Sequence, residues 1–230
     1  MGLNDFYVYA GAVQKIPCTV RDFVFSNFNK SEAQKVFAAA NAGFSEIWWF
    51  YPSTNSGEVD RYVVYNYQQK LWFVGSLSRT AWMDRGVSEL PIAANTDGYL
   101  YNHEIGDDDG TTNPSTAIAS HIESSQIDIG DGNNFSFISR IIPDITFRNS
   151  ANGSEATLTV KTRNAPGGVY LQSDSSTITK SATVPVEQFT QDARLRLRGR
   201  SFALRVDSSN TGVGWKLGSP RLDIRPDGRR

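Results

Sequence analysis

The feature that most constrains the fold of this chain is an alternation of apolar and polar residues with a period of two. It is seen in Ala156–Lys161 and Arg194–Arg198, and segments rich in Gly, Asn, Asp and Pro separate the strand candidates of the chain. Neighbouring side chains of a strand point to opposite faces of a sheet, so this pattern indicates short strands joined by tight turns. An aromatic content of 12 % favours the same structure. The chain is therefore predicted to be all-β.

One segment departs from the strand pattern. Ser31 begins a Ser-Glu-Ala-Gln sequence with capping-box spacing, the alanine-rich stretch Ala33–Ala40 follows, and Asn41–Gly43 supplies a stop signal. These residues predict one short helix near positions 31–41. The preceding Phe23–Phe25 is predicted to be a strand.

A change of composition divides the chain. Asp107–Ser115 consists mainly of Asp, Gly, Thr, Asn and Pro, which is typical of a boundary segment. Residues 1–110 are predicted to form a propeller-like antiparallel sheet region, an incomplete β-meander without a clean blade repeat. Residues 111–230 contain strand candidates, among them Val169–Gln172, at a spacing of about ten residues, which predicts a β-sandwich or jelly-roll-like region.

Charge and cysteine content narrow the function classes. The formal net charge of −1 argues against general affinity for nucleic acid, and the single cysteine, Cys18, has no internal disulfide partner. No signal peptide or apolar run of membrane-spanning length is visible, which predicts synthesis in the cytoplasm and no membrane segment. His103 and His121 have no partner at metal-ligand spacing, and no nucleophile motif occurs, so neither an enzyme nor a cofactor is expected.

Acidic residues cluster near the predicted boundary. Glu104, Asp107, Asp108 and Asp109 precede Gly110. Such an oxygen-rich loop suits either solvated turns or a bound Ca²⁺, and it lacks the ligand spacing of an EF-hand. A catalytic carboxylate pair for glycoside hydrolysis needs a cleft between the two acids, and the turn-forming context of these residues does not favour one.

The most unusual segment is Arg194–Arg200, in which arginine occupies every second position. Arg194, Arg196 and Arg198 are predicted to project from one face of a strand, with Leu195 and Leu197 buried on the other. Arg200 extends this row if Gly199 introduces no bulge. The row has three interpretations: bidentate pairing with carboxylates of a neighbouring strand or subunit, contact with DNA phosphates, or a solvated face.

The C-terminal segment has a related pattern. Arg221, Asp223 and Arg225 alternate with Leu222 and Ile224 as a last strand, and Pro226–Gly228 then forms a turn. This turn is predicted to expose Arg229 and Arg230, which either dock on a partner or fray.

Several aromatic-rich segments form a recognisable set: FYVYAGAV from Phe6 with IPCTV from Ile16, EIWWFYPS from Glu46, DRYVVYNY from Asp60, WFVGSLSRTAW from Trp72, DGYLYNHE from Asp97, and WKLG from Trp215 with RPDGRR from Arg225. Together these segments resemble the C-terminal part of the tail nozzle or tail-hub ("phage stabilisation") proteins of podoviruses. The resemblance implies a structural protein of the virion tail that contacts other tail and adaptor proteins. It also implies a homo-oligomeric ring, typically a hexamer, around the DNA exit channel. The chain is much shorter than those proteins.

The resemblance suggests a role for the charged residues. In a ring, the arginine row is expected to meet carboxylates of the adjacent subunit, with Asp107, Asp108 and Asp109 as candidates. Two other functions compete with this one. The first is a module that binds host-surface glycan through Trp48 or Trp49, of which alternation leaves at most one beside any given site. The second is a tailspike-type hydrolase, for which no motif is present.

Overall fold

The computed structural model describes residues 1–130, 132–148, 155–165 and 178–228. The chain divides into two compact units, Met1–Ile105 and Gly106–Arg230, whereas the sequence analysis placed the boundary after residue 110. The fold is all-β, as predicted. The helical elements of the described residues are one α-helix, α1 (Arg21–Ser26), and 3₁₀ turns at Lys30–Lys35 and Ala42–Phe44.

Unit 1 contains two antiparallel meanders and a separate hairpin. A four-stranded sheet has the order β3-β4-β5-β6, and a three-stranded sheet has the order β7-β8-β9. The up-and-down order of the larger sheet is that of one propeller blade. The strands are β1 (Phe6–Tyr9), β2 (Val13–Ile16), β3 (Phe37–Asn41), β4 (Glu46–Tyr51), β5 (Arg61–Asn66), β6 (Leu71–Ser76), β7 (Ala81–Met83), β8 (Ile92–Ala94) and β9 (Leu100–Asn102).

The four-stranded sheet is covered on both faces by aromatic side chains. One face packs against the N-terminal residues, where the Phe6 ring centroid lies 4.9 Å from that of Trp49 and 4.7 Å from that of Trp72. On the other face Trp48 stacks on Trp82 of β7 at 5.4 Å. The indole nitrogen of Trp82 also donates to the carbonyl oxygen of Ala40 at 3.1 Å. Adjacent residues of β4 therefore pack into two separate aromatic layers.

The helix predicted near 31–41 is wrong in its second half. The chain makes a 3₁₀ turn over Lys30–Lys35, begun by Asn29, whose side-chain oxygen accepts from the amide of Ser31. Phe37–Asn41 then forms β3, in which Phe37 stacks on Phe50 at 4.8 Å. Pairing with β4 and this ring contact outweigh the helix preference of alanine, which is below about 1 kcal/mol per residue.

The strand predicted at Phe23–Phe25 is also wrong. These residues lie in α1, where Val24 is completely buried and its amide bonds to the carbonyl of Val20 at 3.0 Å. A short apolar run does not distinguish a buried strand from a helical turn.

Unit 2 is built from antiparallel sheets. The larger has the order β12-β19-β16-β17, with β13 also paired to β19, and a three-stranded sheet has the order β18-β14-β21. The remaining pairs are β10 with β11 and β15 with β20. The strands are β10 (Asp108–Asp109), β11 (Thr116–Ala117), β12 (Ser120–Glu123), β13 (Ile127–Asp128), β14 (Ser136–Ile142), β15 (Ile145–Arg148), β16 (Glu155–Arg163), β17 (Ile178–Glu187), β18 (Ala193–Gly199), β19 (Ser201–Ser208), β20 (Gly214–Leu217) and β21 (Arg221–Pro226).

The two main sheets of unit 2 share one aliphatic core, which makes this unit a β-sandwich. Ile138 and Leu197 from the three-stranded sheet lie in the same buried cluster as Leu158, Val160 and Val206 from the larger sheet. Two facing sheets that bury one shared core are typical of a sandwich. The strand predicted at Val169–Gln172 lies outside the described residues.

An ion-pair network stabilises the outer surface of the larger sheet. The ammonium group of Lys161, which is buried, lies 2.7 Å from Glu123 Oε1, and an Arg205 nitrogen lies 3.2 Å from Glu123 Oε2. Burial raises the pKa of the Glu123 carboxyl, but hydrogen bonds from Lys161 and Arg205 outweigh it, so the pKa is lowered overall.

Candidate functional site

The outer face of the sheet β18-β14-β21 carries the arginine row together with arginines from both other strands. The register places Arg198 opposite Phe137 and Arg194 opposite Arg140 on one side of β14, with Arg225 opposite Phe137 on the other side. Directly opposed residues share a face of a sheet. We call this surface the arginine face: Arg140, Arg194, Arg196, Arg198, Arg221 and Arg225.

The predicted alternation within β18 is confirmed. Leu195 and Leu197 are buried in the core of unit 2, whereas Arg194 and Arg196 are exposed. Side chains two residues apart are separated by about 6.6 Å along a strand. Arg200 lies outside the row, because β18 ends at Gly199 and the chain turns into β19.

Gly199 sits where the two sheets of unit 2 approach closely. A β-carbon added to it would lie 2.7 Å from the β-carbon of Thr162 and 3.1 Å from the carbonyl oxygen of Arg163. Contacts below 3.0 Å require the neighbouring atoms to move, so only glycine fits here without strain. The end of the arginine row is thus fixed by packing.

The arginine face holds more positive than negative charge. Its carboxylates are Asp192, Asp223 and Asp227, so six guanidinium groups meet three carboxylates and the surface carries a net charge of +3. Arg140 lies 3.6 Å from Asp192 and 3.9 Å from Asp223, and Arg198 pairs with Asp227.

Four arginines of the face remain without an ion pair among the described residues: Arg194, Arg196, Arg221 and Arg225. Within the row, Arg198 pairs with a carboxylate of the same chain, that of Asp227. The other cations are available to an acidic surface outside the chain.

Arg198 and Arg200 contact the same aromatic ring. Their guanidinium carbons lie 4.0 Å and 4.8 Å from the centroid of Phe135, which is itself buried. Cation–π contacts of this kind restrict the arginine side chains. This end of the arginine face is therefore preorganised.

The acidic cluster is engaged locally. Asp108 accepts from the amide of Gly212 at 2.7 Å, and Asp109 accepts from the amide of Thr111 at 3.0 Å. Asp107 Oδ1 lies 2.7 Å from the position that a β-carbon of Gly214 would occupy. These contacts agree with carboxylates that support turns, while each carboxylate retains acceptor capacity. Contact with the arginines of an adjacent subunit stays a prediction.

Two site predictions concern residues at the C-terminus. Arg229 and Arg230 lie outside the described residues. The preceding turn does contribute to the site, because the carboxylate of Asp227 pairs with Arg198 and its carbonyl oxygen accepts from Arg198 at 3.3 Å.

The two histidines occupy different environments. Arg79 Nε donates to His103 Nε2 at 3.0 Å, and the imidazole packs on Trp82 at 4.7 Å. Burial, and then the positive charge of Arg79, lower the pKa of His103 to about 4. His121 is exposed on β12. In the described residues, no three His, Cys, Asp or Glu side chains are arranged to hold a metal ion.

The two tryptophans of the competing glycan-binding interpretation are both engaged in packing. Trp49 is buried, and Trp48 stacks on Tyr62 at 4.7 Å while its indole nitrogen donates to Glu46 at 3.0 Å. Both rings are occupied by packing within unit 1, so neither offers a free face of the kind that sugar stacking requires.

A shallow depression on unit 2 offers a different aromatic group. It has a volume of about 350 Å³ and is lined by Asp107, His121, Arg148 and Trp215, among others. Trp215 is only partly buried against the core. A tryptophan side chain beside a carboxylate, an imidazole and a guanidinium provides the group types that pack against and hydrogen-bond to a sugar.

Sequence reasoning found the row on β18 but missed its extent. The alternation of Arg221 and Arg225 was visible in the sequence, yet only the register shows that β21 and β18 flank the same strand. The sequence did not place Arg140 on this face. A bulge at Ser139 interrupts the alternation of β14, so that Ile138 and Ile141, three residues apart, both face the core.

Comparison with known proteins adds no family. The chain matches no family model and no curated protein. Within the part of the chain that the structure describes, no helix combines the length and apolar character needed to cross a bilayer.

Proposed function

We propose that this chain is a non-enzymatic structural protein of a bacteriophage virion, located in the tail as part of a nozzle or hub ring around the DNA exit channel. The observation that carries the proposal is the arginine face, with four arginines that have no carboxylate partner among the described residues. Guanidinium groups about 6.6 Å apart repel one another unless an acidic surface meets them. A neighbouring tail protein or a second copy supplies such a surface.

The side chains beneath the arginine face support a role in contact with another protein. Leu195 and Leu197 fix β18 in the sandwich core, and Phe135 restricts Arg198, so the charged groups are held on a rigid sheet. Arginine is enriched at protein interfaces because its planar group binds carboxylates in a bidentate manner. The resemblance of the sequence to podovirus tail proteins is our reason for placing this surface in a phage tail.

Cryo-electron microscopy of the virion that carries this chain tests the proposal directly. We expect density for both units in a symmetric ring around the tail channel, with the arginine face against carboxylates of a neighbouring protein. Density at the tip of a fibre, or absence of the chain from the virion, contradicts the proposal.

A variant separates contact with protein from contact with DNA. Arg194→Ser combined with Arg196→Ser is expected to reduce incorporation of the chain into tails, since both side chains are exposed and outside the core. Lys180→Ser combined with Lys216→Ser is the control, because it removes the same charge from exposed positions outside the arginine face. If the arginine variant assembles normally but loses affinity for duplex DNA, the row contacts phosphates instead.

The depression beside Trp215 favours a second candidate function, binding of host-surface glycan. Trp215→Ala is expected to abolish binding on a glycan array if this function is correct, whereas Trp48→Ala acts only through the stability of unit 1. Binding that survives Trp215→Ala excludes this depression as the glycan site.

A further inference from the structure

The N-terminal hairpin projects from unit 1 as an arm. β1 and β2 pair only with each other among the described residues, and all residues from Tyr7 to Lys15 are exposed. Tyr9 is 76 % exposed and its cross-strand partner Val13 is 69 % exposed. A two-stranded sheet with both faces in water is marginally stable at best. This arm therefore has apolar side chains and strand edges that the described part of the chain leaves uncovered.

The base of the arm is firmly anchored. Phe6 is completely buried and packs on Trp49 and Trp72, while Ile16 opposite it packs against the same cluster. Asp5 lies 2.8 Å from the ammonium group of Lys15 and 2.6 Å from Arg21 Nε, which ties β2 to α1. The arm thus leaves the unit in a fixed direction.

Unit 1 also has an uncovered sheet edge. β6 is the last strand of the four-stranded sheet, and on its outer side no described strand pairs with it. Leu71 is 50 % exposed and Phe73 is 46 % exposed. Exposed strand edges in proteins are usually blocked by a charge, a proline or a bulge, and Leu71–Ser76 has none of these.

We propose that the arm of one copy adds to the β6 edge of a second copy as an extra strand. The two surfaces match in charge, because neither Phe6–Gln14 nor Leu71–Leu77 contains a charged residue in a chain that is 20 % charged. A polyanion or a strongly basic partner fits neither surface. Strand addition supplies main-chain hydrogen bonds to β6 and places Tyr9 and Val13 against the apolar side chains of the edge.

This contact joins two different surfaces, so it is heterologous and generates a ring when the rotation between copies closes. The inference rests on the proposed function for the ring and names the surfaces that build it. The exposed side chains of the arm and of β6 sum to about 600 Å², taking roughly 150–200 Å² per large side chain. Stable dimers bury about 1,200–2,000 Å². One contact alone is therefore weak, and a closed ring, in which every copy gives and receives an arm, is the assembly that these surfaces favour.

Photo-cross-linking of the full chain tests the inference without assuming a register. Tyr9 is replaced by p-benzoyl-phenylalanine, isotopically labelled and unlabelled copies are mixed, and cross-linked peptides are identified by mass spectrometry. We expect cross-links between a labelled and an unlabelled copy that map to Leu71–Ser76. The same photoreactive residue at Phe189, which is 87 % exposed on unit 2, is expected to give no cross-link to this strand.

Two edge variants sharpen the test. Phe73→Lys places a charge on the β6 edge and is expected to reduce the cross-link yield by about tenfold or more. Leu100→Lys makes the matched change on the exposed edge strand β9 and is expected to leave the yield unchanged. Circular dichroism of both variants verifies that the sheets are retained.

Three results overturn the inference: cross-links confined to one copy, cross-links to β9 or between two arms, or no cross-link to β6 at any concentration. Its failure is distinguishable from failure of the proposed function. A ring in the virion with the arms away from β6 refutes only the inference, whereas cross-links to β6 in a chain absent from the tail refute only the proposed location.

Discussion

The two units fill their interiors in different ways. Unit 1 has strands of three to six residues and contains four of the five tryptophans, and rings such as Trp48 and Trp49 cover both faces of its main sheet. Unit 2 has strands of up to ten residues, and aliphatic side chains such as Leu158 and Val160 fill the space between two sheets. Large rings allow short strands to bury enough surface, whereas long strands reach the same result with smaller side chains.

The units also differ in their exposed surfaces. Unit 1 exposes the β6 edge and the arm, in which Phe6–Gln14 has no charged residue, and unit 2 displays the arginine face with its net charge of +3. Apolar strand edges favour strand addition, while a charged sheet face favours an acidic partner. A chain with both surfaces is suited to contact more than one neighbour.

The largest expected effect is on the aromatic layer of unit 1. Phe6→Ala removes a completely buried ring and is expected to lower the free energy of unfolding by about 3–5 kcal/mol. The measurement is denaturant unfolding followed by tryptophan fluorescence in a Trp215→Phe background, which reports unit 1 alone. Tyr9→Ala, in the exposed part of the same hairpin, is the control and is expected to have little effect. Equal loss in both variants contradicts the anchoring role of Phe6.

The second prediction concerns the close approach of the sheets in unit 2. Gly199→Ala forces the new methyl group against Thr162 and the backbone of Arg163, and is expected to cost about 1–3 kcal/mol. Thermal unfolding followed by calorimetry measures this cost. Gly110→Ala adds the same group to open space in unit 2, so a comparable loss there refutes the packing explanation.

The third prediction separates the units by pH. Because the pKa of His103 is about 4 in the folded chain and 6.5 in the unfolded chain, its stabilising contribution is complete above pH 6.5 and is lost as the pH falls towards 4. The lowered pKa of Glu123 means that its contribution to unit 2 is lost only below its ordinary value of 4.5. Between pH 7 and about 5, His103 is therefore expected to destabilise unit 1 while the Glu123 contribution to unit 2 persists.

The variant His103→Gln isolates the effect of the imidazole. This control is needed because burial raises the pKa of Glu46 in the same unit, so the Glu46 contribution to stability increases as the pH falls. The difference in unfolding midpoint between pH 7 and about pH 5 is expected to shrink in this variant. An unchanged difference assigns the acid sensitivity of unit 1 to other groups.

The smallest expected effect is on the arginine face. Arg194→Ser combined with Arg196→Ser is expected to change the free energy of unfolding by less than about 0.5 kcal/mol per residue, because both side chains are exposed. Calorimetry of the isolated chain measures this effect. A large loss of stability shows that the row supports the sandwich and is not a surface kept for a partner.

The parts of this structure that the sequence predicts are those with a local signal. Period two revealed the strands and placed Leu195 and Leu197 inside, since alternation alone fixes which side of a strand is buried. The sequence pattern did not predict the strand at Phe37–Asn41. The alanines there favour a helix, and only the pairing with β4 produces a strand. Local preference was overruled there by a partner five or more residues away in the chain.

The candidate site shows the same limit. The arginines of β18 were predicted, but their association with Arg140 and Arg225 depends on strand order, which no local pattern encodes. Likewise, Tyr7 and Tyr9 belong to an ordinary strand pattern, and only the fold reveals that they are exposed. For the tryptophans of β4, the sequence left open that one of them is exposed to a sugar. Their packing partners Trp72 and Trp82 lie in other strands, so only the fold reveals that both rings are packed.

The stacked tryptophans have an optical consequence. Trp48 with Trp82 and Trp49 with Trp72 lie 5.4 Å and 5.8 Å apart, at interplanar angles of 20° and 23°. Indole chromophores this close couple their electronic transitions, so unit 1 should show an exciton contribution in its circular dichroism spectrum. The two pairs lie on opposite faces of one sheet, and removing either tryptophan of a pair eliminates one component only. The spectrum thus reports each aromatic layer separately, without any added label.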